Sequence, residues 1–431
     1  MHIRFIQQFW LKKYNKQKYT CIDWLLIFIL RPISFLYACG FLVILRIKKL
    51  QGHVQIDCFR SSFDEAQDRL RFVSPQGERS GIFSELSQRN SSAHPEEAKG
   101  RLEGRAAGMV APKIISIGNL SVGGTGKTVM VEFLFEHLLP LKGGVVLRGY
   151  KRSTQTKEPI LVCDGKKLFT EVAECGDEAY MLAVQNKVPI AVGKKRGAAC
   201  DLLLQKAHVD YILLDDAYQN ICMHRDLNIL LIDARYPLSQ TTWFPAGFLR
   251  EKDFTRADVI VLTHAQDLLQ QEVAAWYDEL SNFNPKNIFF GEHACAGIFL
   301  NNSGDDVTKY LKDKKVVAMA GIGNILSFVE KINEQNIDVA SMIDFGDHYT
   351  YVLQDMREVI EQCNKLAIGA VVMTSKDWYK CEGFIKALQT EIITISFYVL
   401  RVQFEFLSEQ QYDRFSDCIW SKLPEKKEEM N

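Results

Sequence analysis

No charge of one sign dominates this chain: across 431 residues, 52 Lys and Arg face 53 Asp and Glu, a formal net charge of −1. That balance leaves no basic footprint for wrapping nucleic acid. The 11 cysteines include no Cys-x-x-Cys pair and no framework spacing. A disulfide-stapled secreted scaffold and a clustered zinc site are therefore excluded, and the thiols read as reduced and packed. No unbroken apolar run reaches the ~20 residues of a membrane-spanning helix. What is present is ordinary for a globular enzyme, with 47% hydrophobic and 24% charged residues. At roughly 100–200 residues per domain, the length suggests two or three domains.

The chain opens on basic residues (Arg4, Lys12, Lys13, Lys16, Lys18). Two apolar runs follow, Trp24 to Leu30 and Ile33 to Leu45, divided by Arg31-Pro32 and closed by Arg46, Lys48 and Lys49. A signal peptide would need a small-residue cleavage site where those last basic residues stand. The second run is about 20 Å long as a helix, against roughly 30 Å of hydrocarbon. Spanning would require both runs to join across Arg31-Pro32, which is costly at bilayer depth. The pattern predicts instead that residues 1–50 form a helical hairpin or kinked helix in the interface, held to anionic lipid by Lys and Arg. A buried soluble helix is the alternative, and the basic flanks disfavour it. From 51 to 109 Ser, Gln, Glu, Arg and Gly dominate with no sustained period, which reads as a solvated, disordered insertion.

From Lys113 onward, short apolar runs rich in β-formers recur at 113–118, 145–148, 189–192, 211–214, 227–232 and 258–263. Amphipathic stretches lie between several of them, such as Val129 to Leu139 and Glu178 to Gln185. Strands alternating with helices imply a mostly parallel α/β sheet. Further runs at 315–320, 369–373 and 391–398 follow an Asn- and Asp-rich loop at 301–306. The expected layout is a P-loop domain over 110–305 and a second, smaller α/β lobe over 306–431.

Gly118-Asn119-Leu120-Ser121-Val122-Gly123-Gly124-Thr125-Gly126-Lys127-Thr128 follows the first of these strands and opens a helix. Glycines let backbone N–H groups face phosphate oxygens, and the helix N-terminus adds partial positive charge. In such a P-loop the cradle is Ser121, Val122, Gly123, Gly124, Thr125 and Gly126; Lys127 reaches the β- and γ-phosphates, and Thr128 ligates Mg²⁺. The strict pattern wants Gly at 121, where this chain has Ser. A second apolar strand ends in Asp215-Asp216. Carboxylates there either hold Mg²⁺, directly or through water, or cap a turn, and the P-loop upstream favours the metal.

Two short matches to protein-kinase signatures fail. His224-Arg225-Asp226-Leu227 lacks the required Asn, since position 231 is Leu, and Asp344-Phe345-Gly346 has no Ala-Pro-Glu after it. Thr374-Ser375-Lys376-Asp377 reads either as a contact to a nucleotide base or as a helix cap.

Taken in order, the motifs resemble the tetraacyldisaccharide 4'-kinase family. They are the glycine loop, Leu147-Arg148-Gly149-Tyr150, Gly176-Asp177-Glu178, Asp215-Asp216-Ala217-Tyr218-Gln219, Phe244-Pro245-Ala246-Gly247-Phe248-Leu249-Arg250-Glu251, Met319 to Gly323, Asp347-His348, and Met373 to Asp377. The likeness covers about residues 1–50 and 110–400; the chain departs from it with Ala217, Tyr218, Asn220, Lys151 and Arg152. The resemblance implies a kinase at the cytoplasmic face of the inner membrane, a monomer that uses ATP and Mg²⁺. It implies transfer of the γ-phosphate to the 4'-hydroxyl of a tetraacylated glucosamine disaccharide 1-phosphate, for lipid A. It also implies Glu251 at the metal, Asp177 as general base and His348 as its partner, with Lys127 catalytic. Read alone, Asp177 would cap a helix and His348 would be a loop histidine. The competing class is a membrane-associated regulatory P-loop ATPase, which needs no acceptor.

Overall fold

The computed structural model describes residues 34, 37, 111–149, 152, 158–221, 223–302, 305–347, 349–388 and 395–423. Apart from Ser34 and Tyr37, the expected N-terminal interfacial segment lies outside the described residues, as does the whole 51–109 block. Two compact units divide the chain, Met1–Ala111 with Trp243–Gly247 and Pro112–Thr242 with Phe248–Asn431. In the first, Ser34 Oγ accepts a hydrogen bond from the Ala246 amide at 2.7 Å. Tyr37 stands edge-on to Phe244, ring centroids 6.0 Å apart.

The second unit is built on strands β1 (Lys113–Asn119), β2 (Gly143–Leu147), β3 (Ile160–Asp164), β4 (Pro189–Val192), β5 (Tyr211–Asp215), β6 (Leu227–Asp233), β7 (Val259–Thr263), β8 (Ile288–Leu300), β9 (Lys315–Ala320), β10 (Asp338–Asp344), β11 (Ala370–Thr374) and β12 (Ser396–Phe406). They order as β10-β9-β11-β12-β8-β7-β6-β1-β5-β2-β4-β3. Neighbours β4-β2-β5-β1-β6-β7-β8 all run parallel. β12-β11-β9-β10 form a second parallel group. β8 belongs to both: Ile288 to Phe290 pair with β7, and Gly291 to Leu300 pair antiparallel with β12.

Helices cover both groups of strands, so the central strands are buried throughout and read as continuous apolar runs without alternation. Over the first group, Met130, Val131 and Leu134 of the Lys127–His137 helix pack with Phe415 and Ile419, one turn apart on the Glu409–Trp420 helix. This last described helix thus returns to the phosphate-loop side of the sheet. In the second group Met356, Val359 and Cys363 face Val317 and Met319, while Phe328 and Ile332 face Val316 and Ala318. Each such Val, Leu, Ile, Phe or Met side chain contributes about 1.5–3 kcal/mol by leaving water.

The α/β class and mostly parallel sheet agree with the sequence reading. Three strands escape it: β3, β8 and β10. β10 alternates exposed and half-buried residues at the sheet edge. β8 carries Gly291, Glu292 and His293 inside its apolar ends and so reads as two fragments. The Asn- and Asp-rich loop leads out of β8, the strand common to both groups.

Candidate active site

β1 lies between β5 and β6, so its carboxyl end emerges at mid-sheet beside theirs, where ligands bind in open parallel sheets. The left-handed backbone angles of the loop fall on Gly123 (φ 124°) and Gly126 (φ 80°). A Cβ at Gly123 or Gly124 would meet nothing within 4 Å, leaving the cradle open to a ligand. Ser121 explains itself: it forms an antiparallel bridge with Leu249, and the Val122 amide donates to Phe248 O at 2.7 Å. An extended backbone needs no glycine, so the departure at 121 is accommodated. Inside the loop, Asn119 Nδ2 donates to Thr125 Oγ1 at 2.8 Å. Lys127 and Thr128 open the following helix, both half-buried.

The strand-end acids differ sharply. Asp216, at a left-handed φ of 51°, takes a forked pair of bonds from Arg250 at 2.9 and 3.2 Å, and Lys127 Nζ stands 3.6 Å away. Burial opposes its charge, but Arg250 and Lys127 prevail and hold the carboxyl well below the usual carboxylate range. Arg250 also bonds Asn119 Oδ1 and, through Nε, Ser121 O at 3.1 Å, tying the acid to the loop. Asp215 is pushed up to about 7, first by burial and then by the Glu178 carboxylate, against the pull of Lys127. Its Oδ1 is buried with no hydrogen-bond partner among the described residues.

Glu251 is fully buried, and Arg256 reaches its Oε2 at 2.5 Å. Burial raises its carboxyl despite that partner. The Glu251 amide donates to Leu120 O at 3.3 Å, at the start of the loop. The structure thus anchors Glu251 to the loop's backbone, and its carboxylate pairs with Arg256.

Asp177 is the first residue of the Asp177–Asn186 helix; Gly176, not Asp177, occupies the cap position. Its Oδ1 accepts from the Glu178 amide at 3.2 Å. Its Oδ2 lies 3.4 Å from Lys376 Nζ and 3.7 Å from Lys380 Nζ, both on the Ser375–Leu388 helix. Lys376 also reaches Glu178 at 3.3 Å. Burial works against the charge of Lys376, but Glu178, Asp177 and Asp347 together raise its pKa. His348 lies outside the described residues; Asp347 before it is exposed. In the same motif, Thr374 Oγ1 donates to Asp377 Oδ2 at 2.7 Å and accepts from the Asp377 amide at 3.2 Å, the geometry of a helix cap.

Known proteins resemble this chain in sequence and in fold. The family model described as tetraacyldisaccharide-1-P 4'-kinase (LpxK) matches residues 96–419. Tetraacyldisaccharide 4'-kinase from Halothermothrix orenii is 32% identical over 289 residues, 63% of this chain and 75% of that protein. The enzyme of that name from Desulfatibacillum aliphaticivorans is 31% identical over 320 residues, 72% of this chain and 83% of its own length. That from Geobacter metallireducens is 35% identical over 274 residues, covering 62% and 78%. Among solved structures, LpxK from Aquifex aeolicus in complex with ATP aligns with a TM-score of 0.57 at 25% identity, over 73% of this chain and 90% of that one. The chain belongs to the tetraacyldisaccharide 4'-kinase family.

Membership in this kinase family makes MgATP the group to test against the residues present, and they fit it. The loop offers an open glycine cradle beside Lys127. Asp215 offers a buried oxygen that nothing in the described protein satisfies, as a cation or its water would. Sequence reasoning named Lys127, Asp215 and Asp216, which stand at the carboxyl ends of β1 and β5, and the resemblance named Asp177, which opens a helix beside Lys376 and Lys380. It gave no role to Arg250, although the residue adjoins Glu251, nor to Lys376, although the latter sits inside a quoted motif. Lys380 carried no sequence signal at all; only the helix geometry, one turn past Lys376, aims it at Asp177.

Proposed function

We propose that this chain transfers the γ-phosphate of ATP to the 4'-hydroxyl of a tetraacyldisaccharide 1-phosphate, a step of lipid A biosynthesis. The observation that carries the reading is the junction of two charge systems in a chain of this family. One is the phosphate loop with Lys127, Asp216 and Arg250; the other is Asp177 and Glu178 with Lys376, and the Glu178 carboxylate acts on Asp215. A nucleotide switch needs only the first.

The residues divide the labour as follows. The backbone of Ser121 to Gly126 and the Lys127 ammonium bind the phosphates. Thr128, Asp215 and Asp216 hold Mg²⁺, and Glu251 supports that shell from its anchor on Leu120. Arg250 fixes Asp216 and the loop in one register. When bound, MgATP supplies a phosphoryl group whose charge is partly neutralised. The acceptor hydroxyl is a poor nucleophile at neutral pH, so its proton must pass to a positioned base. Asp177 takes that proton, with His348 as its partner, while Lys376 and Lys380 keep the carboxylate oriented.

The domain organisation belongs to the same proposal: 1–50 docks the chain on the membrane, 51–109 is an insertion, 110–305 is the kinase domain and 306–431 the second lobe. A tetraacylated acceptor keeps its chains in the bilayer, so the cleft must work at the interface, on the cytoplasmic side where ATP is available. Trp10, Trp24 and Tyr37 are the aromatic residues suited to headgroup level. Among the described residues no helix is long and apolar enough to cross a membrane. The chain acts as a monomer. The test is acceptor dependence: transfer of label from ATP to lipid disaccharide, slowed about 10²–10³-fold in Lys127→Ala, supports the kinase. Equal ATP turnover with and without lipid would replace it by the regulatory ATPase.

A further inference from the structure

Behind the phosphate loop lies a pair of histidines that the site described above does not use. His293 stands on β8, opposite Phe404 of β12 and just past the last β8 residue paired with β7. His264 follows β7 with a left-handed φ of 56°, a conformation that non-glycine residues keep only when their surroundings determine it. The rings meet edge to face, centroids 4.5 Å apart at 83°, with His293 Nδ1 and His264 Nε2 at 3.1 Å.

On its other side His264 Nδ1 lies 3.6 Å from Asp233 Oδ2, and Arg235 fixes that carboxylate with bonds of 2.9 and 2.7 Å. Burial first, then Arg235 and Lys331, lowers the His264 pKa to about 3, and burial lowers that of His293 to about 3 as well. Both rings are therefore neutral near pH 7, so across the 3.1 Å contact one ring donates and the other accepts.

The pair ends on the loop. A Cβ at Gly126 would overlap Nε2 and Cε1 of His293, so the ring occupies the space behind the last turn before Lys127. Nε2 is buried there without a hydrogen-bond partner among the described residues. Beside it Thr263 Oγ1 reaches Thr125 O and Ile232 O, each at 3.4 Å. Thr125 and Gly126 are thus backed by residues of β7 and β8, while the loop's front face stays open. A cradle whose amides must point inward works only if its turn is held in one position.

We propose that His293, oriented by His264 and Asp233, is a positioning residue that sets the Gly126 turn of the phosphate loop and so the affinity for nucleotide. The inference rests on the loop binding nucleotide, which the wild-type dissociation constant tests on its own.

The experiment uses the full chain and measures the dissociation constant of a non-hydrolysable ATP analogue with Mg²⁺ by calorimetry, without acceptor, alongside melting temperature. His293→Ala should weaken binding about tenfold, equivalent to ~1.4 kcal/mol. KM for ATP should rise in parallel, with kcat at saturation changing less. His264→Ala should act in the same direction, and the double variant should be no weaker than His293→Ala within about twofold, because both act through one contact. His293→Asn, which can keep the bond to His264, should recover part of the loss. A pure packing role predicts a lower melting temperature with the dissociation constant within twofold of wild type, and that result overturns the proposal. So do multiplicative effects in the double variant. Should His293→Ala not fold, His293→Asn and His264→Ala carry the same comparison.

Discussion

Arg250→Met isolates the charge network that joins the phosphate loop to Asp216. The wild-type guanidinium bonds Asp216 twice, Asn119 Oδ1 and Ser121 O among the described residues. Hydrogen bonds to charged groups contribute about 1.5–3 kcal/mol each when buried. Here the side chains of Arg250 and Asp216 keep 22% and 30% exposure, so water compensates part of the loss. The net destabilisation should be about 2 kcal/mol, a fall in melting temperature of about 4–8 °C at 2–4 °C per kcal/mol for a large domain.

The sign with pH follows from Asp216. Its carboxyl is depressed in the folded chain, so its ion pairs stabilise fully above the unfolded value near 4 and lose that contribution as pH falls through the folded value. The gap between wild type and Arg250→Met should therefore be constant from pH 6 to 8 and shrink below about pH 4. Deprived of Arg250, Asp216 draws on Lys127 at 3.6 Å, so binding of a non-hydrolysable ATP analogue should weaken roughly tenfold. Arg250→Lys should restore the charge but not the fork, and recover less than half of either effect. Scanning fluorimetry and calorimetry on the three proteins decide it. Unchanged melting temperature and affinity in Arg250→Met would refute the network as described.

Asp215→Asn should raise the melting temperature of the nucleotide-free protein at pH 8 while abolishing turnover. The raised carboxyl, near 7, opposes folding increasingly as pH climbs from about 4 to 7, so the gain should vanish at pH 4. A gain independent of pH would mean that Asp215 is not ionising there. Asp177→Ala should lower kcat by about 10²–10⁴ and the double variant with His348→Ala by less than the product, with nearly unchanged melting temperature. Normal turnover in Asp177→Ala would move the base elsewhere. Deleting 1–50 should release the chain from membrane pellets with analogue binding intact, and a short linker in place of 51–109 should leave turnover unchanged. Sedimentation and steady-state assays check the two, and a truncation that still pellets would place the anchor elsewhere.

The phosphate loop was legible because its chemistry is local. Gly123, Gly126, Lys127 and Thr128 are consecutive or nearly so, and backbone angle, cation and hydroxyl all follow from residue type. Strands β5, β6 and β7 were legible for a similar reason, since burial on both faces leaves an unbroken apolar run. β10 and β8 were not, because an edge strand needs no such run and β8 changes partner midway. Arg250, Lys376 and Lys380 reach their carboxylates across 34, 199 and 203 positions of sequence, which no spacing rule anticipates. Ser121, where the strict pattern has glycine, is accommodated because this chain forms an extended bridge to Leu249 there.

Phosphoryl transfer to a lipid acceptor, as proposed, draws on both Lys127 and Asp177. Its most direct measurement follows γ-labelled ATP with purified full-length protein, with and without tetraacyldisaccharide 1-phosphate, and locates the label on the product. Label should appear on the 4'-oxygen only when acceptor is present, and removing the Lys127 ammonium should cut the rate about 10²–10³. Release of labelled inorganic phosphate at the same rate whether or not acceptor is present, with none on the lipid, would contradict it.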